Sequence, residues 1–122
     1  MSGKILVIDD EKSIGELIQL AMKTKGYLVE YATNGGDGVS LFYRFCPDIV
    51  LVDKRLPDMD GIEVARTIKQ TDAGKKAMLM LMTGDVSEIE LDKSLFTAAI
   101  EKPVSMSKLA SLVEGAMKLS SH

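Results

Sequence analysis

Apolar residues in this chain fall into two alternating kinds of stretch. Short, nearly continuous runs such as Ile5-Leu6-Val7-Ile8, Ile49-Val50-Leu51-Val52 and Met78-Leu79-Met80-Leu81-Met82 are separated by longer segments with apolar positions three and four residues apart. Continuous runs suit parallel strands covered on both faces, and the spaced positions suit helices with one apolar stripe. The alternation therefore predicts repeated βαβ units around a mostly parallel sheet, and five such units fit the chain. Strands are predicted at 5–8, 28–32, 48–52, 77–82 and 98–100, with 48–52 central because its middle is wholly apolar.

The helices are read from spacing and end signals. Ile14, Leu17, Ile18, Ala21 and Met22 predict a first helix that Gly26 stops in a left-handed conformation. Asn34 can cap a second helix and Asp37 can close a capping box, yet Gly35, Gly36 and Gly38 each cost about 1 kcal/mol relative to Ala in a helix, which predicts a late or frayed start. Asp60 caps a third helix with Glu63 at its third position and Ile62, Ala65 and Ile68 on its apolar face. Ile89, Leu91 and Leu95 give a weaker pattern, read as a short fourth helix within 85–95. Leu109, Leu112, Val113, Ala116 and Met117 form one face of a last helix over 106–119. The alternating methionines of the fourth strand read as core packing rather than a soft-metal site.

Composition narrows the class. A chain of 122 residues suits one domain, taken here as 1–122, with Ser120-Ser121-His122 left out of the fold as a tail or cloning remnant. Hydrophobic residues at 46% and charged residues at 27% fit a soluble globular protein and exclude disorder, collagen and coiled coil. A net charge of -3, with no cluster of Lys and Arg, argues against direct nucleic-acid binding. No apolar stretch approaches the roughly 20 residues that span a bilayer, and no signal segment opens the chain, so a cytoplasmic protein without membrane contact is expected. Cys46, the single cysteine, excludes an internal disulfide and reads as a small packing residue beside Pro47.

The strand ends carry the candidate chemistry. Asp9-Asp10 follows the first strand, Asp53 ends the third, Thr83 ends the fourth and Lys102-Pro103 follows the fifth. In an open parallel α/β sheet these positions share one edge, where ligands bind. Charges about 4 Å apart repel by roughly 1 kcal/mol in water and about 4 at a partly shielded site, so three clustered carboxylates favour a raised pKa or a bound cation. Magnesium suits carboxylates, a main-chain carbonyl and retained waters, and it commonly works with phosphate. Asp58-Met59-Asp60-Gly61 is only a fragment of an EF-hand loop, which disfavours calcium. A carboxylate beside magnesium can act as nucleophile toward a phosphoryl group, with the Lys102 ammonium, the Thr83 hydroxyl and the Gly84 amide stabilising the transferred oxygens. Each residue alone also fits an ordinary role: a solvated helix start for Asp9-Asp10, a turn for Asp53, a cap for Thr83, an exposed strand end for Lys102. Arg55 and Asp58 likewise fit a solvated charged loop.

Taken in order, these residues resemble the receiver domains of two-component response regulators, the CheY-like family, which have an acidic pair after strand one, Asp after strand three, Thr or Ser after strand four and Lys-Pro after strand five. The resemblance runs over essentially the whole chain and includes Asp53-Lys54-Arg55-Leu56-Pro57-Asp58-Met59-Asp60-Gly61 and Thr83-Gly84. It implies a flavodoxin-like, doubly wound α/β fold, a five-stranded parallel sheet in the order 2-1-3-4-5 flanked by five helices. It also implies that Asp53 is the phosphoacceptor, that Asp9, Asp10, Asp53 and the Arg55 carbonyl bind Mg2+, and that Thr83, Gly84 and Lys102 bind phosphate and switch, with Pro57, Gly61 and Pro103 shaping the site. Its implied partners are a sensor histidine kinase or phosphotransfer protein and an output partner or fused output domain. By the same resemblance the chain is a regulatory phosphoacceptor that assists its own phosphorylation and dephosphorylation, and not a turnover enzyme.

Two departures bear on mechanism. Ala99 stands where the family usually has an aromatic residue that turns inward on activation, and the span from Thr83 to Lys102 is short and lacks the familiar Gly-Ala before strand five. These departures suit an alternative, an interaction module of the same fold that does not depend on phosphate. A magnesium phosphatase of the aspartyl-phosphate type is disfavoured because Arg55 stands where that motif has a second Asp, and Gly35-Gly36-Asp37-Gly38 fits neither common nucleotide-binding glycine motif.

Overall fold

Neighbouring residues of a strand point to opposite faces, yet Ile5, Leu6, Val7 and Ile8 are all buried, so the first strand is covered on both sides. The computed structural model shows how. It describes residues 3–88 and 90–120, without the side chains of Glu88 and Ser120. Strands β1 (Lys4–Ile8), β2 (Leu28–Ala32), β3 (Ile49–Asp53), β4 (Met78–Thr83) and β5 (Ala98–Glu101) pair in parallel in the order β2-β1-β3-β4-β5. Helices α1 (Lys12–Lys23), α2 (Gly35–Phe45), α3 (Gly61–Lys69), the one-turn α4 (Asp72–Lys76) and α5 (Met106–Ser120) complete the expected doubly wound fold.

Strand alternation divides the core in two. Ile5, Val7, Ile49, Leu51, Met80 and Met82 face Ile18 and Met22 of α1 and Leu109, Val113 and Ala116 of α5. Leu6, Ile8, Val50, Val52, Leu79 and Leu81 face Phe42 of α2 and Val64, Ala65 and Ile68 of α3. The β4 methionines are thus core, as their alternation predicts. Leu17 and Leu112, expected on the apolar faces of their helices, lie at the margins and are 47% and 38% exposed. Gly26 takes a φ of 90° just beyond α1, as expected of its stop.

Three expectations are corrected. The second helix does not start late: it begins at Gly35, because Asn34 accepts from the Asp37 amide at 2.8 Å while the Asp58 carboxylate accepts from the Gly35 and Gly36 amides at 2.8 and 2.9 Å. No α-helix occupies 85–95 among the described residues. A single 3-10 turn, Val86–Glu88, stands there, because Asp85 bonds the Ser87 amide and hydroxyl and Asp92 bonds those of Ser94, holding local turns instead of a helical ladder. Ile89, one apolar position of that expected helix, and Ser121-His122 lie outside the described residues. Cys46 is not packed: it is exposed, in a left-handed conformation (φ 51°) at the end of α2.

Candidate functional site

Each candidate side chain stands at the C-terminal end of a parallel strand. Asp9 follows β1, Asp53 closes β3, Thr83 closes β4 and Lys102 follows β5, where the Lys102 amide donates to the Thr83 carbonyl at 2.7 Å and the Lys102–Pro103 peptide is cis. Sheet register thus brings together residues more than forty positions apart. Asp53, Thr83 and Lys102 line a cleft of about 530 Å³ with Asp10, Glu11, Lys54, Arg55, Gly84 and Asp85.

Lys102 is the electrostatic centre. Its Nζ lies 2.9 Å from Asp53 Oδ2, 3.0 Å from Asp9 Oδ2 and 3.8 Å from Glu11 Oε1. Burial pushes the ammonium down, but the hydrogen bonds and charges of Asp53 and Asp9 outweigh it, leaving its pKa above the ordinary lysine value. Asp9 is shifted the other way from most paired carboxylates. Burial raises its pKa, the neighbouring Asp53 charge adds to that, and the Glu11 amide and Lys102 only partly offset it. Asp9 Oδ2 is buried and, although it faces Lys102, receives no well-directed hydrogen bond.

The remaining expected positions are distributed as follows. Asp9, Asp10 and Asp53 each offer a carboxylate oxygen within 4.8 Å of the others. The Arg55 amide donates to Asp53 Oδ1 at 3.1 Å, which folds the next turn of chain around the carboxylate. Gly61 is required by contact: its amide donates to the Lys54 carbonyl at 2.7 Å, and a Cβ there would run into the Asp53 backbone carbonyl. Thr83 is buried and its hydroxyl accepts weakly from the Asp85 amide at 3.4 Å. Gly84 lines the cleft, exposed, with open space where a side chain would stand. Pro57 and Pro103 are exposed, and Ala99 is half-buried on β5 beside Leu81 of β4. Glu11 and Asp58 are the residues that sequence reasoning left without a role. Glu11 reaches the site as a third carboxylate on Lys102, its only advance signal being its place directly after Asp10.

A doubly wound sheet of this order with an acidic, lysine-bridged cleft at its carboxyl edge defines a flavodoxin-like α/β domain built around a charged ligand site. The family model of the response regulator receiver domain matches residues 5–114, and the chain belongs to that family. It is therefore the receiver domain of a response regulator, a component of two-component signalling. The chain is similar to the receiver domain protein from Clostridium thermocellum, at 27% identity and TM-score 0.86 over 98% of this chain and 97% of that one. It is also similar in fold to the CheY-like receiver domain protein from Methanospirillum hungatei (24%, 0.87, 99% and 98%) and to the chemotaxis response regulator CheY4 of Vibrio cholerae (21%, 0.88, 95% and 99%). Receiver domains as a class are regulatory phosphoacceptor modules that bind Mg2+ in an acidic pocket and work with histidine kinases or phosphotransfer proteins. Among the described residues, no helix is long and apolar enough to cross a membrane.

Proposed function

We propose that Asp53 accepts a phosphoryl group from the phosphohistidine of a sensor kinase or phosphotransfer protein, and that the modified chain then binds an output partner or fused output domain differently. Residues 1–122 act in this reading as one cytoplasmic receiver unit without direct nucleic-acid or membrane contact, a regulatory acceptor and not a turnover enzyme. The observation that carries it is the Lys102 ammonium held between the buried Asp9 and Asp53 carboxylates at the sheet edge.

In the transfer, an Asp53 carboxylate oxygen forms a bond to phosphorus while the phosphorus–nitrogen bond of the donor breaks and its electron pair stays on the histidine. The ionised nucleophile needs no base. Lys102 leaves its pairing with Asp53 to hold a phosphoryl oxygen, and the Thr83 hydroxyl and Gly84 amide donate to the others, since charge stabilisation is the chief requirement of phosphoryl transfer. The all-oxygen donor set of Asp9, Asp10 and Asp53, with the poorly satisfied Asp9 Oδ2, fits Mg2+, and the Arg55 carbonyl is the main-chain ligand expected beside them. Mg2+ would supply neutralisation of the carboxylates and of the incoming phosphoryl charge.

Intact mass after incubation with phosphoramidate, with and without Mg2+, tests this directly. The expected result is a magnesium-dependent phosphoryl adduct in the wild type and none in Asp53→Asn; equal uptake by the variant removes Asp53 from the role. A second reading, a phosphate-independent interaction module, is favoured by Ala99 and by the lack of an α-helix between β4 and β5 among the described residues. It prevails if the adduct forms while partner affinity stays the same.

A further inference from the structure

The loop from Lys54 to Asp60, which follows Asp53, is anchored at two ends on two different elements. Its base is closed by the Gly61 amide on the Lys54 carbonyl at 2.7 Å, by antiparallel pairing of Arg55 with Asp60, and by the Lys54–Asp60 ion pair at 3.7 Å. Its tip is held elsewhere. Asp58 Oδ1 accepts from the Gly35 amide at 2.8 Å and Oδ2 from the Gly36 amide at 2.9 Å. These are first-turn amides of α2 that the helix itself cannot pair, and a carboxylate complements the helix dipole there. The two bonds hold the Asp58 carboxyl below its ordinary pKa. Met59 seals the junction: a Cβ on Gly35 would collide with its side chain. Arg55, whose amide reaches Asp53 Oδ1, belongs to the base, three residues before the tip that Asp58 holds.

We propose that Asp58 is a positioning residue for the phosphoacceptor site: its carboxylate clamps the 54–60 loop onto the first turn of α2, which holds the Arg55 main chain against Asp53 and transmits occupancy of the pocket to α2. This rests on the reading of Asp53 as phosphoacceptor. Asp58 touches no reacting atom and acts through the loop. The clamp bypasses both departures of the chain, since it needs neither a ring at Ala99 nor a helix between β4 and β5. An uncharged residue at this place makes fewer of the bonds: an Asn oxygen accepts, but its amide nitrogen faces the Gly36 donor with a second donor.

The experiment compares full-length wild type, Asp58→Ala, Asp58→Asn and Asn34→Ala. The last variant removes a capping bond from the same helix without touching the loop. The initial rate of phosphoryl uptake from phosphoramidate is followed by intact mass across a range of Mg2+ concentrations, and amide exchange at Gly35 and Gly36 is recorded with and without the donor. Asp58→Ala is expected to lower the rate or raise the half-saturating Mg2+ about tenfold, as loss of an outer-shell partner does, with Asp58→Asn between it and wild type and Asn34→Ala within about twofold of wild type. Uptake is expected to change exchange at Gly35 and Gly36 in wild type and not in Asp58→Ala. If Asp58→Ala keeps the wild-type rate and Mg2+ dependence, or Asn34→Ala loses as much, Asp58 is a helix cap only and the proposal falls. Should Asp58→Ala not fold, Asp58→Asn against Asn34→Ala decides by the same criterion. A wild type that forms no magnesium-dependent adduct fails at the earlier step, and the phosphoacceptor reading falls together with the clamp.

Discussion

Lys102 is one cation answering three carboxylates, and its substitution tests the proposed metal binding separately from the proposed phosphoryl chemistry. Under the proposed Mg2+ site at Asp9 and Asp53, the ammonium and the divalent metal compete for the same oxygens, so Lys102→Ala relieves a repulsion of about 2 to 8 kcal/mol, twice that of two unit charges at roughly 4 Å. Mg2+ should therefore bind roughly thirtyfold tighter to Lys102→Ala, taking the low end of that range, while phosphoryl uptake slows because an oxygen loses its positive partner. Amide shifts of Glu11 and Gly84 during a Mg2+ titration measure the first effect, and weaker binding in the variant contradicts the competition. These residues were legible in the sequence because strand periodicity places Asp9, Asp53, Thr83 and Lys102 at one edge whatever their side chains do next. Glu11 and Asp58 were not. Glu11 matters through the direction in which Lys102 extends, and Asp58 through bonds to amides 23 and 22 residues earlier, neither of which any local pattern encodes.

At the scale of elements, the glycines of α2 that suggested a frayed start are the reason it packs. A Cβ on Gly38 would stand 2.6 Å from Ile8 Cδ1, so the helix reaches β1 only without one. Gly38→Ala should gain about 1 kcal/mol of helix propensity and still be net destabilising by up to about 2, because overpacking costs about 1 to 3 and a stiff strand residue is what must move. Urea unfolding measures this, and a stabilised variant means the helix can shift outward freely. The same element carries an acid-side signature. The Asp58 pKa is lowered in the fold, so its stabilisation is fully present above the unfolded value near pH 4 and is lost as pH falls through the lower folded value. In metal-free solution, the stability difference between wild type and Asp58→Asn should shrink on acidification below about pH 4, with Asp37, in the same turn of α2, common to both proteins. A pH-independent difference places the effect outside the carboxylate's charge. The stretch 85–95 misled for a related reason: its few apolar residues have helical spacing, but Asp85 and Asp92 satisfy nearby amides locally, and Leu91, Leu95 and Phe96 cover the sheet from irregular chain.

Over the whole molecule, the two faces of the sheet are covered unequally. One face carries the long helices α1 and α5, whereas the other carries α2, α3 and then, over β4 and among the described residues, the irregular chain leading into β5, with Phe96 as its fully inserted side chain. Truncating Phe96 to Ala should cost about 3 to 5 kcal/mol, the range for a buried aromatic, with urea unfolding as the measure. Sub-global opening should start in this thinly covered segment, since local unfolding follows low burial and few regular backbone bonds. The two ends of the segment are Thr83 and Lys102, both at the cleft and joined by a hydrogen bond between their main chains. Under the proposed function, phosphoryl oxygens on Asp53 engage both ends at once, so the connection between them tightens without any ring at Ala99. Hydrogen exchange of residues 85–97 should accordingly slow when Mg2+ and phosphoramidate are added to wild type, and stay unchanged in Asp53→Asn. Slowing in wild type alone makes the order of this segment the signal that a partner reads. An adduct that leaves exchange there unaltered, and partner affinity with it, means that the pocket is filled without consequence and that the phosphate-independent module is the better account of the chain.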